Sequence, residues 1–158
     1  MKLRLGTHCY HHAFHAELWH KRLPELREMN PERLTLPPSP EVEAFMDAVG
    51  APEHADQTIE KMVGMYRVLI PRLIAAYTYH RNNTSTITDA PTIRSLGFCL
   101  QDDLEEWREG EMILQSMLTN DEAVQRAAAR QQELESLLAA AGGIVGPDSI
   151  GSFELDEG

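Results

Sequence analysis

Apolar residues in this chain recur every three or four positions over several long segments, which is the spacing of one face of an α-helix. The first such segment runs from about Thr7 to Met29, and Pro24 is expected to kink it. Its apolar face is made by Phe14, Leu18, Trp19, Leu23 and Leu26. The pattern predicts a long first helix with one side turned towards a core.

Prolines and a capping residue define a shorter second helix. The three prolines within Asn30–Pro38 predict an extended linker. Ser39 then offers an N-cap, and Pro40 suits the first turn because its missing N–H is not needed there. We therefore expect a helix over Pro40–Val49 that is closed by Gly50.

Three further segments complete the predicted architecture. A broad apolar stripe predicts a third helix over Asp56–His80 with a bend at Pro71, followed by a polar connection over Arg81–Thr88. The fourth helix is predicted over Asp89–Leu118. The fifth is capped by Asn120 or Thr119 and ends at Gly142–Gly143. With no strand pattern between them, these segments predict an all-α, antiparallel helical bundle.

The end of the chain has a different composition. Residues 144–158 contain Gly, Pro and Ser with four acids and no base, which predicts a mobile acidic tail. Residues 1–143 are therefore assigned to the bundle as one domain, a length that can enclose a core.

Charge, cysteine count and hydropathy limit the possible surroundings and partners. The formal net charge of −11 argues against nucleic acid, because phosphate binding needs clustered Lys and Arg. The two cysteines, Cys9 and Cys99, are too few and too distant in sequence for a disulfide framework, so a reducing compartment is expected. No apolar run reaches the ~18 residues of a membrane span. The expected location is the cytoplasm, with no membrane partner.

Histidines are concentrated in the first predicted helix, which holds five of the chain's seven. His8, His12 and His15 share one helical face, and that face continues into Trp19 and Leu26. Buried imidazoles need polar partners, and a metal ion is one such partner because neutral imidazole binds Zn, Fe, Cu and Ni.

Carboxylates interrupt the apolar face of the fourth predicted helix. Asp103 and Glu106 lie in the middle of the stripe, where an unpaired carboxylate is costly. Asp102, Glu105 and Glu109 are predicted on a different face, next to solvent, as ordinary surface charge.

The histidine and carboxylate pairs support two interpretations. His8, His12, His15, Asp103 and Glu106 could together bind a divalent metal ion in the bundle core. Alternatively, the histidines and acids pair with each other as hydrogen-bonded ions without any metal. Tyr66, Tyr77 and His80 are predicted on the apolar side of the third helix, but buried tyrosines more often only pack, so no catalytic role is assigned to them.

Several segments together resemble uncharacterised ferritin-like proteins. They are Tyr66–Tyr77, Asp89-Ala-Pro-Thr-Ile-Arg94, Leu100–Glu106 and His12-Ala-Phe-His15-Ala-Glu-Leu-Trp19, within a similarity over Thr7–Leu118. The resemblance implies a ferritin-like bundle in which two Glu-x-x-His motifs fall on His12/His15 and Asp103/Glu106. Only His15 is of the expected type, so a single divalent ion (iron, or zinc or manganese), or no ion, is expected rather than a bridged pair of iron ions.

The resemblance also implies an activity and an assembly. A metal-dependent oxidoreductase of unknown substrate is the first hypothesis, and a non-catalytic structural or partner-binding bundle with a metal-free polar core is the second. A hydrolytic or transferase site on one ion is a third. A ferritin-like helix that would precede the first one is missing from the pattern, so a homodimer is expected to cover that flank.

Overall fold

The computed structural model describes residues 2–23 and 35–145, and within them every regular element is helical. Five helices follow one another. The third is continuous but has three parts, which are labelled separately as α3, a π-helical segment and α4. The elements are α1 (Lys2–Arg22), α2 (Pro40–Gly50), α3 (Thr58–Val63), a π-helical segment (Gly64–Leu69), α4 (Ile70–Asn83), α5 (Ala90–Met117) and α6 (Asp121–Ala140). The predicted all-α class is confirmed.

Helix α1 begins earlier and is more exposed than its sequence pattern predicts. It starts at Lys2 rather than Thr7, and Phe14, predicted on the core face, is 37% exposed. The predicted kink at Pro24, the helix end at Met29 and most of the linker lie outside the described residues.

Helix α2 matches its predicted bounds to within one residue. The Ser39 side chain accepts a hydrogen bond from the Val42 backbone N–H at 3.3 Å, and Pro40 occupies the first turn. Phe45, fully buried, anchors the helix in the core.

The third helix contains a π-helical segment rather than a simple bend. A short 3₁₀ turn over Ala55–Gln57 leads into α3, and the π segment ends immediately before Ile70, whose N–H bonds to the carbonyl of Met65. Pro71 follows at once. A proline has no N–H and its ring crowds the carbonyl four residues earlier, so a wider turn before it relieves the conflict. The helix then extends to Asn83, into the predicted polar connection.

Helices α5 and α6 are close to their predictions, and α6 shows how its ends are fixed. Asn120 accepts a 2.8 Å hydrogen bond from the Ala123 N–H, which settles the choice between Asn120 and Thr119 as N-cap. At the other end Gly142 and Gly143 have positive φ values of 70° and 96°, a conformation that glycine adopts without steric cost.

Two apolar clusters built from α2 to α6 form much of the core, and Leu96, Cys99 and Leu100 of α5 are buried outside them. The first contains the buried residues Ile59, Met62, Val63, Tyr66, Ile70, Leu114, Ala123 and Ala127. The second contains Phe45, Val49, Val68, Leu134 and Leu138, with half-buried Ile144 packed against it. Ile144 is therefore part of the packed structure, whereas the rest of the predicted tail from residue 146 lies outside the described residues.

Helix α1 lies along α5, its main neighbour in the described structure. Its buried side chains are His8 and His15, and the nearest α5 residues include the buried Asp103 and Glu106. The contact between α1 and α5 is therefore mainly polar, whereas the helices α2 to α6 meet one another through the two apolar clusters. Among the described residues, no helix combines the length and hydropathy needed to cross a bilayer.

Candidate metal centre

The seam between α1 and α5 is organised in three successive layers of histidine and acid. Residues three or four apart on a helix stack above one another, so each turn of α1 meets a turn of α5. The layers are centred on His15, on His12 and on His8.

The first layer joins His15 to two aspartates. His15 Nε2 lies 3.0 Å from Asp102 Oδ2 in a hydrogen bond, and His15 Nδ1 lies 3.7 Å from Asp103 Oδ1. Asp103 is fully buried, whereas the Asp102 side chain is 24% exposed. The two ring nitrogens therefore face two different carboxylates.

The second layer surrounds Glu106 with two histidines. His11 Nδ1 hydrogen-bonds Glu106 Oε1 at 2.8 Å. His12 Nε2 lies 3.0 Å from Glu106 Oε2, but these two atoms are not aligned as donor and acceptor, and both are buried without a hydrogen-bond partner.

The third layer links His8 to a tyrosine and a glutamate. His8 Nδ1 and the Tyr66 hydroxyl are 2.7 Å apart, while His8 Nε2 lies 3.3 Å from Glu109 Oε2. Glu109 also pairs with Arg4 of α1. His8 is therefore held by its own partners, one helical turn from His12.

Tyr66 reaches His8 because α5 has a glycine opposite it. A Cβ placed on Gly110 would lie 2.0 Å from Tyr66 Cδ1, so no larger residue fits there without displacing the ring. Tyr66 belongs to the π-helical segment, and π-bulges often occur at functional sites. Burial raises the pKa of its phenol well above the ordinary value, which keeps the hydroxyl protonated.

Burial and mutual attraction shift the pKa values within the seam in different directions. Burial raises the pKa of Asp103 to about 6, against the opposing pull of His15 and His12. The Glu106 carboxylate raises the pKa of His12, whereas burial lowers that of His8. Burial works to raise the pKa of Glu106 too, but its contacts with His12 and His11 prevail and lower it. The seam therefore favours a charged Glu106 and opposes a charged Asp103.

Four of the six buried side-chain polar atoms that lack hydrogen-bond partners among the described residues belong to the α1–α5 contact. They are His12 Nε2, both carboxylate oxygens of Asp103, and Glu106 Oε2. His12, His15 and Asp103 each offer one donor atom, and these atoms all lie within 4.8 Å of one another. Ligands bonded to one tetrahedral ion at about 2.1 Å lie roughly 3.4 Å apart, so inward shifts of about 1 Å by these side chains would close the set.

The sequence-predicted ligands thus divide into three groups. The structure brings His12, His15 and Asp103 together, and it places Glu106 beside His12. His8 lies one turn away in the layer with Tyr66, outside the close donor set.

Three residues of the seam were not selected from sequence. His11, which is not among the predicted ligands, hydrogen-bonds Glu106. Asp102 and Glu109, predicted to be ordinary surface charge, are half-buried and contact His15 and His8 of α1. Helical spacing could have identified these residues. His8, His11 and His15 on α1, like Asp102, Glu106 and Glu109 on α5, also recur every three or four positions. A broad helical face admits two adjacent stripes, and spacing alone does not choose between them.

The other residues singled out from the sequence have packing roles or none. Tyr77 packs against Trp19 with ring centroids 5.7 Å apart, and burial raises its pKa to about 12. Burial likewise raises the pKa of the Cys99 thiol to about 12. His80, predicted on the apolar side, is exposed because it lies on the outer face near the end of α4.

The chain matches no protein-family model, no curated protein and no solved structure.

Proposed function

We propose that this protein is a metal-binding helical bundle that holds one divalent ion between α1 and α5, with His12, His15 and Asp103 as ligands. The observation that supports it most is the donor cluster: His12, His15 and Asp103 each offer one atom within 4.8 Å of the other two, and neither oxygen of the buried Asp103 has a hydrogen-bond partner. Buried polar groups are nearly always hydrogen-bonded or bound to an ion, so the carboxylate of Asp103 between two imidazoles is chemically suited to bind a cation.

The donor set favours iron(II), with zinc and manganese(II) as alternatives. Two imidazoles and one carboxylate form the combination used by non-haem iron(II) oxygenases when coordination positions remain open. Glu106 Oε2, 3.0 Å from His12 Nε2, could supply a fourth donor. Nearby Asp102 and Glu106 also add negative charge that a divalent cation would balance.

The reaction class that follows is metal-dependent oxidation or reduction, in a bundle of the ferritin-like kind. Three protein ligands leave positions for water, oxygen or a substrate, which is what a catalytic rather than a structural site requires. Zinc in the same site would instead activate water for hydrolysis or group transfer. The proposed cofactor is therefore the ion itself, and metal identity decides between these chemistries.

Metal binding is tested by calorimetry on tag-free protein that has been stripped with a chelator. We expect one ion per chain to bind, and His12→Ala or Asp103→Asn to weaken the affinity at least tenfold, since each removes one of three ligands. His20→Ala and Glu105→Gln are matched controls, because both residues are exposed on the same two helices. The absence of stoichiometric binding by iron(II), zinc and manganese(II) would defeat the proposal.

A second function is favoured by the close histidine–acid pairs. His11 with Glu106 and His15 with Asp102 already form hydrogen bonds of 2.8 and 3.0 Å. In this alternative the seam is a metal-free polar core that fixes the position of α1, in a structural or partner-binding protein.

The stability of Asp103→Asn without metal separates the two functions. Removing a fully buried charge whose oxygens lack partners should leave the metal-free protein equally or more stable. A structural ion pair with His15 predicts a loss of a few kcal/mol instead. Urea unfolding in excess chelator measures the difference.

The expected homodimer and cytoplasmic location are part of the same proposal. Leu3, Tyr10 and Phe14 form an exposed apolar stripe on the outer side of α1, with Leu3 88% and Tyr10 70% exposed. Light scattering at micromolar concentration tests the dimer, and a stable monomer would contradict it.

A further inference from the structure

We propose that the bound ion controls the docking of α1, so that α1 is fastened to α5 when metal is present and is released when it is removed. This inference rests on the proposed metal site and concerns the regulation of that site. We call this metal-dependent docking the clamp: α1 covers the side of α5 that carries Asp103 and Glu106 when the ion is bound, and uncovers it when the ion is removed.

The core of the protein does not depend on α1. Every buried residue of the two apolar clusters belongs to α2 through α6, and Leu5 is the one α1 residue packed against either of them. Helices usually dock through an apolar face, but α1 presents histidines to its neighbour. Apolar burial therefore contributes little to holding the part of α1 before Trp19 in place, whereas the half-buried Trp19 and Leu23 add apolar contact near its end.

The contacts that do hold α1 are uneven along its length. Near its end, Arg22 donates a 2.9 Å hydrogen bond to Thr92, and Trp19 packs on Tyr77. Between Arg4 and His15 the attachment consists of the three histidine–acid layers and of Leu5, which packs against the first apolar cluster. The first part of the helix is thus attached mainly through polar groups, and the last part has additional anchors.

The proposed ligands lie on both helices, which couples binding to docking. His12 and His15 belong to α1, whereas Asp103 belongs to α5. An undocked α1 cannot complete the set, so the ion binds the docked state alone. By thermodynamic linkage, a free metal concentration about 100 times the dissociation constant shifts the docking equilibrium about 100-fold.

Removing the ion leaves an unfavourable seam. Asp103 is then fully buried with two oxygens that lack hydrogen-bond partners, and it is repelled by the Glu106 and Asp102 carboxylates. Undocking α1 returns these acids and the histidines to water, which relieves the cost of burying them. The same groups that bind the ion therefore favour release in its absence.

Hydrogen–deuterium exchange with mass spectrometry tests the clamp, with Zn²⁺ as the added metal. We expect Zn²⁺ to slow exchange of amides in residues 5–16 by tenfold or more, while amides of α3 to α6 that face the apolar clusters change little. His12→Ala should remove the protection, and His20→Ala, on the same helix but exposed, should retain it.

A fluorescence titration gives an independent measurement. The chain has two tryptophans, so Trp107→Phe leaves Trp19 of α1 as the sole reporter. Zn²⁺ has a filled d shell, so an emission shift reports the surroundings of Trp19 rather than redox quenching. His15 lies one helical turn before Trp19, so an ion bound to His15 should hold Trp19 more firmly against Tyr77. We therefore expect a blue shift that saturates at one equivalent of metal, and unchanged emission would contradict the clamp.

The outcomes separate this inference from the proposed function. If calorimetry shows Zn²⁺ binding but α1 exchange is unchanged, the clamp is wrong and the metal site stands. If Zn²⁺ protects α1 in His12→Ala as well, the clamp is also wrong, because docking does not use the proposed ligands. If no metal binds, both proposals fail.

Discussion

At the residue scale, Gly110 decides whether Tyr66 can reach His8. Gly110→Ala places a methyl group 2.0 Å from the Tyr66 ring, near its attachment point, where the side chain cannot easily give way. We expect a destabilisation of about 1–3 kcal/mol, the usual cost of overpacking a core. The free energy of unfolding in urea measures it.

Gly97 provides the matched control for Gly110 on the same helix. A Cβ added at Gly97 would meet nothing within 4 Å. Gly97→Ala should therefore stabilise the protein by up to about 1 kcal/mol, because alanine is the better helix former. Equal effects of the two substitutions would show that the Tyr66 contact does not limit position 110.

Sequence reasoning at this scale found the helices that carry the candidate site but not all of its contacts. Helical phase identified His12, His15, Asp103 and Glu106 as inward-facing, and the structure brings them together. The partnership of Tyr66 with His8 could not be predicted, because it depends on the π-helical segment and on the position of two helices. Distances across a seam are set by tertiary packing, which a single helix's periodicity does not encode.

At the element scale, the start of α6 depends on one capping side chain. Asn120→Ala removes the side-chain oxygen that accepts the hydrogen bond of the Ala123 N–H, so one backbone N–H at the start of α6 loses its partner. We expect a loss of about 1 kcal/mol in the free energy of unfolding. Thr119→Ala, the neighbouring candidate cap, should have a smaller effect, and a larger one would mean that the cap is wrongly assigned.

The contact between α3 and α6 should confer sensitivity to acid. Arg126 binds both carboxylate oxygens of Glu60 at 2.7 Å, and this hydrogen bonding lowers the pKa of Glu60 below its ordinary value of 4.5. A lowered folded-state pKa means that the stabilisation is fully present above the unfolded-state pKa and is lost as pH falls through the lowered one. Stability from this pair should therefore decline below about pH 4.5.

Replacing Glu60 tests this pH dependence. Glu60→Gln removes the titrating group, so the variant should be less stable than the parent at pH 7 and the difference should shrink as pH falls towards 3. Thermal unfolding across that range provides the measurement. A difference that stays constant with pH would rule out an ionic contribution from this pair.

Helix boundaries were predictable where local chemistry sets them and less so elsewhere. Ser39 and Asn120 cap their helices as expected from their types. The π segment was anticipated only as a bend at Pro71, because sequence shows that a proline disturbs a helix but not how the backbone accommodates it. The predicted start of the first helix, Thr7, lies five residues after the observed start, Lys2. The first turns of α1 lack a capping residue and an apolar stripe facing the core, so the sequence does not mark where the helix begins.

At the scale of the whole molecule, the separation of core and seam predicts that the bundle folds without α1. A chain beginning at Thr35 keeps both apolar clusters, whose buried members all lie in α2 to α6. It also exposes Asp103 and Glu106 to water, which removes the cost of burying their charges. We therefore expect a helical protein that unfolds cooperatively, with a lower midpoint because some apolar surface of α5 is uncovered. Circular dichroism during thermal unfolding tests this, and a gradual transition would show that α1 is an integral part of the core.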